Sequence, residues 1–282
     1  MNVILPEKEK MKKRTIIIYS IATITCILAI LLIVGNQILG KDIINSIFKI
    51  DKIINKTEQE EASLKANFNN LYDNKLTNNN NINVSKVDET KDIIYTNYEK
   101  SVTTSNHEIN VILPYINIKN SKIKSWNDEI NNTFKAKAEQ ILQNENVKTV
   151  YSTKYTANIE NNILSVMIYA ELKENSGAQR TLLKTYNFNL ETNKELNLQD
   201  IIKIYNLDSK QVQNKINSDI KKENEKAQEL IDLGYNVYKR KMQDETYKIE
   251  NSNEFFIKNK NLYIIYPYGN NENTSVIDII VI

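Results

Sequence analysis

YSTKYTANIENNILSVMIYAELKENSGAQRTLLKTYNFNL, residues 151–190, reads as three strands in succession. Tyr151, Thr153, Tyr155, Ala157 and Ile159 alternate with polar or smaller residues. Asn161-Asn162 then turns the chain, and Leu164, Val166, Ile168, Ala170 and Leu172 alternate back. A period of two on both sides of a two-residue Asn turn predicts a β-hairpin with one buried face. Asn175-Ser176-Gly177 makes the next turn, and a third strand follows with Leu182, Tyr186, Phe188 and Leu190 on one face, closed by Glu191-Thr192-Asn193-Lys194.

On the N-terminal side, IIYTNYEKSV and HEINVILPYINI are strand-like, with Pro114 at an edge or strand end. Trp126, Ile130, Phe134, Ala138 and Ile141 then recur at helical spacing, giving an amphipathic helix from about Lys122 to Gln143. On the C-terminal side, a second helix starts at Asp208 or Ser209, either of which caps it, and runs through Val212, Ile216, Ile220, Ala227 and Leu230 to about Gly234. Strands resume at Phe255–Ile257, Leu262–Pro267 and Val276–Ile282. The expected fold is α+β, with two main helices packed on a largely antiparallel, meandering sheet over residues 92–282. A division into subdomains near Val147 is the alternative, though no linker lies there.

Upstream lies a different composition. Thr15–Val34, TIIIYSIATITCILAILLIV, carries no charge, and twenty residues at about 1.5 Å each cross the roughly 30 Å of bilayer hydrocarbon. An N-terminal single transmembrane helix is therefore placed at 15–39. Residues 1–14 hold Lys8, Lys10, Lys12, Lys13 and Arg14 against Glu7 and Glu9, so this tail is expected in the cytoplasm and the C-terminal domain outside. A cleaved signal peptide fits less well, because the apolar run is long and no A-x-A-like site follows it. Ile43, Ile47, Ile50, Ile54, Leu64, Phe68 and Leu71 keep a 4,3 spacing interrupted only by Thr57 and Glu61. This predicts a helical stalk over 40–76, which either pairs with a second copy as a homodimer, lies on the headgroups or folds back on its own domain. The polar stretch 77–91, with TNNNNIN at its start, is expected to be a flexible linker.

The inventory of reactive groups is short. One histidine (His107), one cysteine (Cys26, inside the apolar run) and five glycines argue against a Cys/His zinc site, a disulfide framework and a Gly-rich phosphate loop. HEINV at His107 lacks the second histidine of a zincin helix. The tail accounts for +3 of charge and the whole chain has +2, so the remainder is −1 and no face for nucleic acid is implied. No cofactor and no metal are expected. Acidic residues are abundant, so a carboxylate pair for glycoside hydrolysis stays open as an alternative. Sixteen tyrosines read mainly as sheet residues, with Tyr263, Tyr266 and Tyr268 as candidate sugar-stacking platforms.

The stretch LSVMIYAELKENSGAQRTLLKTYNFNLETNKELNLQDI, residues 164–201, resembles a pattern of Gram-positive extracytoplasmic domains. It has an LSV strand, a GAH-type turn, a Tyr-Asn-x-Asn strand, a T-N-K turn and an L-x-L-x-D-I entry into a helix. It is similar to the RsiV-type ectodomain of lysozyme-responsive anti-sigma factors and to the non-catalytic N-terminal region of PdaC-type peptidoglycan deacetylases. VILPYINIKNSKIKSWNDEINNTF and FFIKNKNLYIIYPY extend the likeness over about Ile94–Ile282. Gln179 stands where the family has histidine, and fourteen tail residues are too few for a sigma-binding segment. The resemblance implies the sensing or binding half of such proteins, and makes Gly177, Ala178, Gln179 and Arg180 candidate binding residues.

The expected function is thus that of a membrane-anchored extracytoplasmic binding or sensor protein in the cell membrane. It would recognise a cell-envelope component or secreted protein, a lysozyme-like enzyme or peptidoglycan, without catalysis of its own. Alternatives are a carboxylate-based cell-wall glycosidase and a structural wall or sporulation-associated protein.

Overall fold

Why the two Asn-rich turns hold is visible in their backbone. Asn161 and Asn162 take φ of 51° and 59°, Asn175 50° and Asn193 54°, all in the left-handed region that asparagine tolerates best after glycine. The chain has five glycines, and among the described residues asparagine supplies seven of the nine positions with positive φ. The computed structural model describes residues 56–77, 84–269 and 275–282, which all belong to one compact unit, Ile53–Ile282. The expected cytoplasmic tail and transmembrane helix, and the expected stalk up to residue 55, lie outside the described residues. Among the described residues no helix is long and apolar enough to cross a membrane.

The strands are β1 (Leu76–Thr77), β2 (Ile94–Thr103), β3 (His107–Ile116), β4 (Thr149–Glu160), β5 (Ile163–Glu174), β6 (Arg180–Asn189), β7 (Lys194–Glu195), β8 (Phe255–Lys258), β9 (Asn261–Tyr268) and β10 (Val276–Val281). The first seven form one sheet in the order β2-β3-β4-β5-β6-β7, with β1 added to β4. β4–β5 and β5–β6 pair antiparallel through the Asn turns. β3 and β4 pair parallel, Ile109 facing Tyr151, because the chain between them crosses over through a helix. β8, β9 and β10 make a second, antiparallel sheet in the order β10-β9-β8. The described residues are therefore α+β, but the single meander expected from the sequence is two sheets, one of them mixed.

The crossover helix is amphipathic and has the bounds its apolar spacing suggests. Asn120 caps α2 (Ser121–Ile130), which continues through a π turn at Asn131–Lys135 into α3 (Ala136–Leu142). Steps of four residues from Trp126 to Ala138 run ahead of a 3.6-residue repeat, and the wider π turn absorbs the excess. Trp126, Ile130, Phe134 and Ala138 pack on one face of the large sheet against Val111, Tyr155, Val166 and Phe188. α4 (Leu198–Ile204), opened by an Asn197–Asp200 capping box, and α5 (Ser209–Asp232), capped by Asp208, cover the small sheet instead. Met167, Tyr169 and Leu183 on the other face of the large sheet meet Phe256, Tyr263 and Val281 of the small one. The layers run helix, large sheet, small sheet, helix. Leu183 is buried because the second sheet covers its face, whereas Leu182, on the opposite face, is 39% exposed.

Residues 56–76 do not continue a stalk. Thr57, one of the two polar breaks in the heptad register, is the N-cap of a short helix, α1 (Glu58–Ala66), closed by a capping box with Glu60. The other break, Glu61, pairs with Lys215 on α5, and Lys65 meets Asp219 at 2.8 Å. Phe68 is 3% exposed inside the cluster between the sheets. Asp73 accepts a hydrogen bond from Thr156 Oγ1, and Lys258 Nζ donates to the carbonyl of Leu71. Of the readings left open by the sequence, folding back on the domain is the one these residues adopt. The linker reading changes as well for 84–91. The buried Asn117 carboxamide accepts from the backbone N–H groups of Val87 and Asp88 and donates to the carbonyls of Asp88 and Asp92, pinning that segment to the domain.

Candidate functional site: a polar groove at Glu254

Four segments distant in sequence meet where the two sheets part. α2 brings Trp126 and Glu129, β6 brings Lys184 and Tyr186, the start of α4 brings Asn197, and the turn before β8 brings Asn253 and Glu254. Together they line a depression of about 370 Å³. A second one of about 340 Å³, lined by Tyr238, Tyr247, Tyr266 and Tyr268 among others, shares Asn253 and Glu254 with the first. The two adjoin at these residues.

Glu254 sits at the join with its side chain 16% exposed. Its Oε2 accepts from the backbone N–H of Thr185 at 2.6 Å and from Thr185 Oγ1 at 3.0 Å. Burial pushes its carboxyl above the ordinary carboxylate value, and Lys184 and the Thr185 donors offset only part of this. Lys184 Nζ stands between two acids, 3.7 Å from Glu129 and 3.8 Å from Glu254. Those contacts are too long to be hydrogen bonds. Lys122 pairs with Glu195 at 2.8 Å across the rim.

Tyr186 is 4% exposed, packs its ring 5.3 Å from Trp126, and has a buried hydroxyl without a hydrogen-bond partner. Burial, with Glu129 and Glu254 near it, pushes this phenol well above its ordinary value. At the far end Tyr238 stacks on Tyr268 at 4.9 Å and 19°. Arg240 lies over the Tyr268 ring at 5.4 Å and forms a two-pronged pair with Asp278.

The sequence-derived candidates divide. Tyr266 and Tyr268 line the second depression, but Tyr263 is 1% exposed and packs on Phe68. A three-residue offset in a strand puts side chains on opposite faces, so the three cannot form one platform. Tyr266 is no exposed platform either. Its hydroxyl bonds Ser252 Oγ at 2.6 Å, and burial raises it to about 12. Gly177, Ala178, Gln179 and Arg180 lie at the β5–β6 turn and line neither depression. Arg180 pairs with Glu174, and the Gln179 carbonyl accepts from Ser275 N–H at 2.9 Å. The left-handed residue of that turn is Asn175. What Gly177 avoids is contact, since a Cβ there would meet the Glu174 carbonyl at 3.0 Å. His107 is 5% exposed, with Nε2 3.0 Å from the Asn144 carbonyl oxygen. Among the described residues no group of three or more His, Cys, Asp or Glu is placed to hold a metal ion.

Glu129, Lys184, Tyr186 and Glu254 were missed by sequence reasoning, because no motif spacing links them. The one available signal was that the chain's single tryptophan belonged to the α2 stripe.

No family model and no curated protein matches the chain. Two solved structures that it resembles are DUF3298 family proteins. With one from Pseudomonas aeruginosa it shares 10% identity at a TM-score of 0.26, over 38% of this chain and 53% of that one. With a member from Bacteroides fragilis it shares 14% identity at a TM-score of 0.31, over 62% of this chain and 80% of that one. The chain thus spans about half the length of the first of these neighbours.

Proposed function

We propose that the chain is a membrane-anchored extracytoplasmic binding or sensor protein of the RsiV/PdaC-like kind. It recognises a cell-envelope component or secreted protein, a lysozyme-like enzyme or peptidoglycan, and does no chemistry on it. The observation that carries this reading is the groove itself, where Lys184 is set against Glu129 and Glu254, and Lys122 against Glu195. Groups arranged in this way offer hydrogen bonds to a guest more readily than they activate a nucleophile. The anchor rests on Thr15–Val34 and its basic flank. Self-pairing is proposed only for the heptad register before residue 56.

The test is retention on the immobilised full-length chain of purified peptidoglycan, lysozyme or proteins of a culture supernatant, beside a chain unfolded by substitution at Phe134. Retention of lysozyme or peptidoglycan by the folded chain alone is expected. Retention of nothing would end the reading. The glycosidase reading is favoured by one observation, the raised carboxyl of Glu254 beside Glu129. A peptidoglycan clearing zone lost in Glu254→Gln would establish it instead.

A further inference from the structure

We propose that the two adjoining depressions take a neutral saccharide chain, with the Tyr186 hydroxyl as a hydrogen-bond anchor in the first. This rests on the binding reading above and names the ligand class of that site. Four observations converge on it.

The first is shape. Because the two depressions adjoin at Asn253 and Glu254, a linear guest of several units can contact both where a single ring cannot. The second is charge. The cations of the first depression, Lys122 and Lys184, each already face acids, so no spare positive group is left there for an anionic guest. Glu250 and Asp244 add negative charge only at the exposed rim, where a single ion pair is worth little to a cationic guest.

The third is the Tyr186 hydroxyl, a buried polar group without a partner on the lining of the site. Such a group is costly unless something bonds it, and a sugar hydroxyl both donates and accepts. Lys184, not hydrogen-bonded to either carboxylate, keeps its N–H donors for the guest. The fourth is the far end, where the half-buried ring of Tyr238, backed by the Tyr268 ring it stacks on, offers apolar surface to the C–H face of a pyranose.

The experiment uses the full-length chain in a sugar-free detergent, with chitohexaose, cellohexaose and chitobiose as probes. Calorimetry gives affinity, and the single tryptophan, Trp126 in the groove, gives a fluorescence signal. At least one hexaose is expected to bind, tighter than the disaccharide, with a change in Trp126 emission. Tyr186→Phe is expected to weaken binding about tenfold while leaving the melting temperature equal or higher, since the lost hydroxyl bonds nothing in the free protein. Two results would overturn the inference for the hexaoses: unchanged affinity in Tyr186→Phe, or a fall in its melting temperature, which would give the hydroxyl a structural partner. Oligolysine or polygalacturonate binding where neither hexaose does would also overturn it. Retention of lysozyme without saccharide binding would sink this inference and leave the proposed function standing, whereas retention of nothing would sink both.

Discussion

Arg240 and Asp278 form a two-pronged ion pair, Nε to Oδ2 at 3.0 Å and Nη2 to Oδ1 at 2.7 Å, with side chains 5% and 3% exposed. The pair ties the segment after α5 to the middle of β10, and holds the guanidinium over Tyr268 at the groove's far end. Two arginines follow the apolar segment, and the sequence drew attention to the other, Arg180.

Removing one member of such a pair strands a charge where water cannot reach it. Asp278→Ala is expected to cost about 3–5 kcal/mol in urea unfolding. The double change Arg240→Met with Asp278→Leu should recover most of that loss. If Asp278→Ala unfolds at the parent midpoint, the pair is solvated in solution.

The N-terminal segment is expected to be part of the folding unit. Phe68 packs on Tyr263 at 5.9 Å, Lys258 takes two of its three partners, the Leu71 carbonyl and Asp73, from this segment, and β1 pairs with Ala157 and Asn158. Phe68→Ala should cost about 3–5 kcal/mol. A fragment beginning at Asp92 should melt well below one beginning at Lys56, and equal melting temperatures would restore the stalk reading.

Glu254 gives a pH dependence of defined sign. Its folded carboxyl titrates above the unfolded one, so the folded state holds the extra proton between the two values. Stability from this group is full below the unfolded value near 4.3 and is lost as pH rises through the folded one. Glu254→Gln keeps an acceptor for Thr185 but removes the charge. It should be more stable than the parent at pH 7 to 8, with the advantage gone near pH 4. Melting curves over that range decide it, and a constant difference at all pH values would mean that the carboxyl is not perturbed.

Much of the large sheet was legible because its code is local. Two Asn turns and a period of two set β4, β5 and β6, and apolar steps of four set α2–α3. The second sheet was not, since Phe255–Ile257 and Leu262–Pro267 read as strands without saying which sheet they join. Its presence accounts for the burial of Leu183, Tyr263 and Tyr266. Asparagine carries structural information as well, because Asn161, Asn162, Asn175 and Asn193 each take a left-handed backbone. The groove was illegible because Trp126, Tyr186, Asn197 and Glu254 meet only when the two sheets and two helices are assembled.

The junction of the sheets supplies the last prediction. β8 has β9 on one side, and its other edge turns toward the face of the large sheet, where backbone groups are already paired. Side chains take their place. Asn187 Nδ2 donates to the Phe255 carbonyl at 2.8 Å, Asn158 Nδ2 donates to the Ile257 carbonyl at 3.1 Å, and Phe255 N–H donates to Thr185 Oγ1 at 3.1 Å. Asn187 Oδ1 in turn accepts from Ser165 Oγ at 2.7 Å. Residues 255 and 257 present their carbonyls on the same side, as the two-residue period of a strand requires. Asn187→Ala leaves a buried carbonyl and a buried hydroxyl unpaired and should cost about 1–3 kcal/mol. Adding Ser165→Ala should cost less than its own single effect, because the hydroxyl it removes is already without a partner. Amide exchange should accelerate first in β8 and at Thr185, next to Glu254. Unchanged stability and exchange in Asn187→Ala would mean that the sheets are held by apolar packing alone.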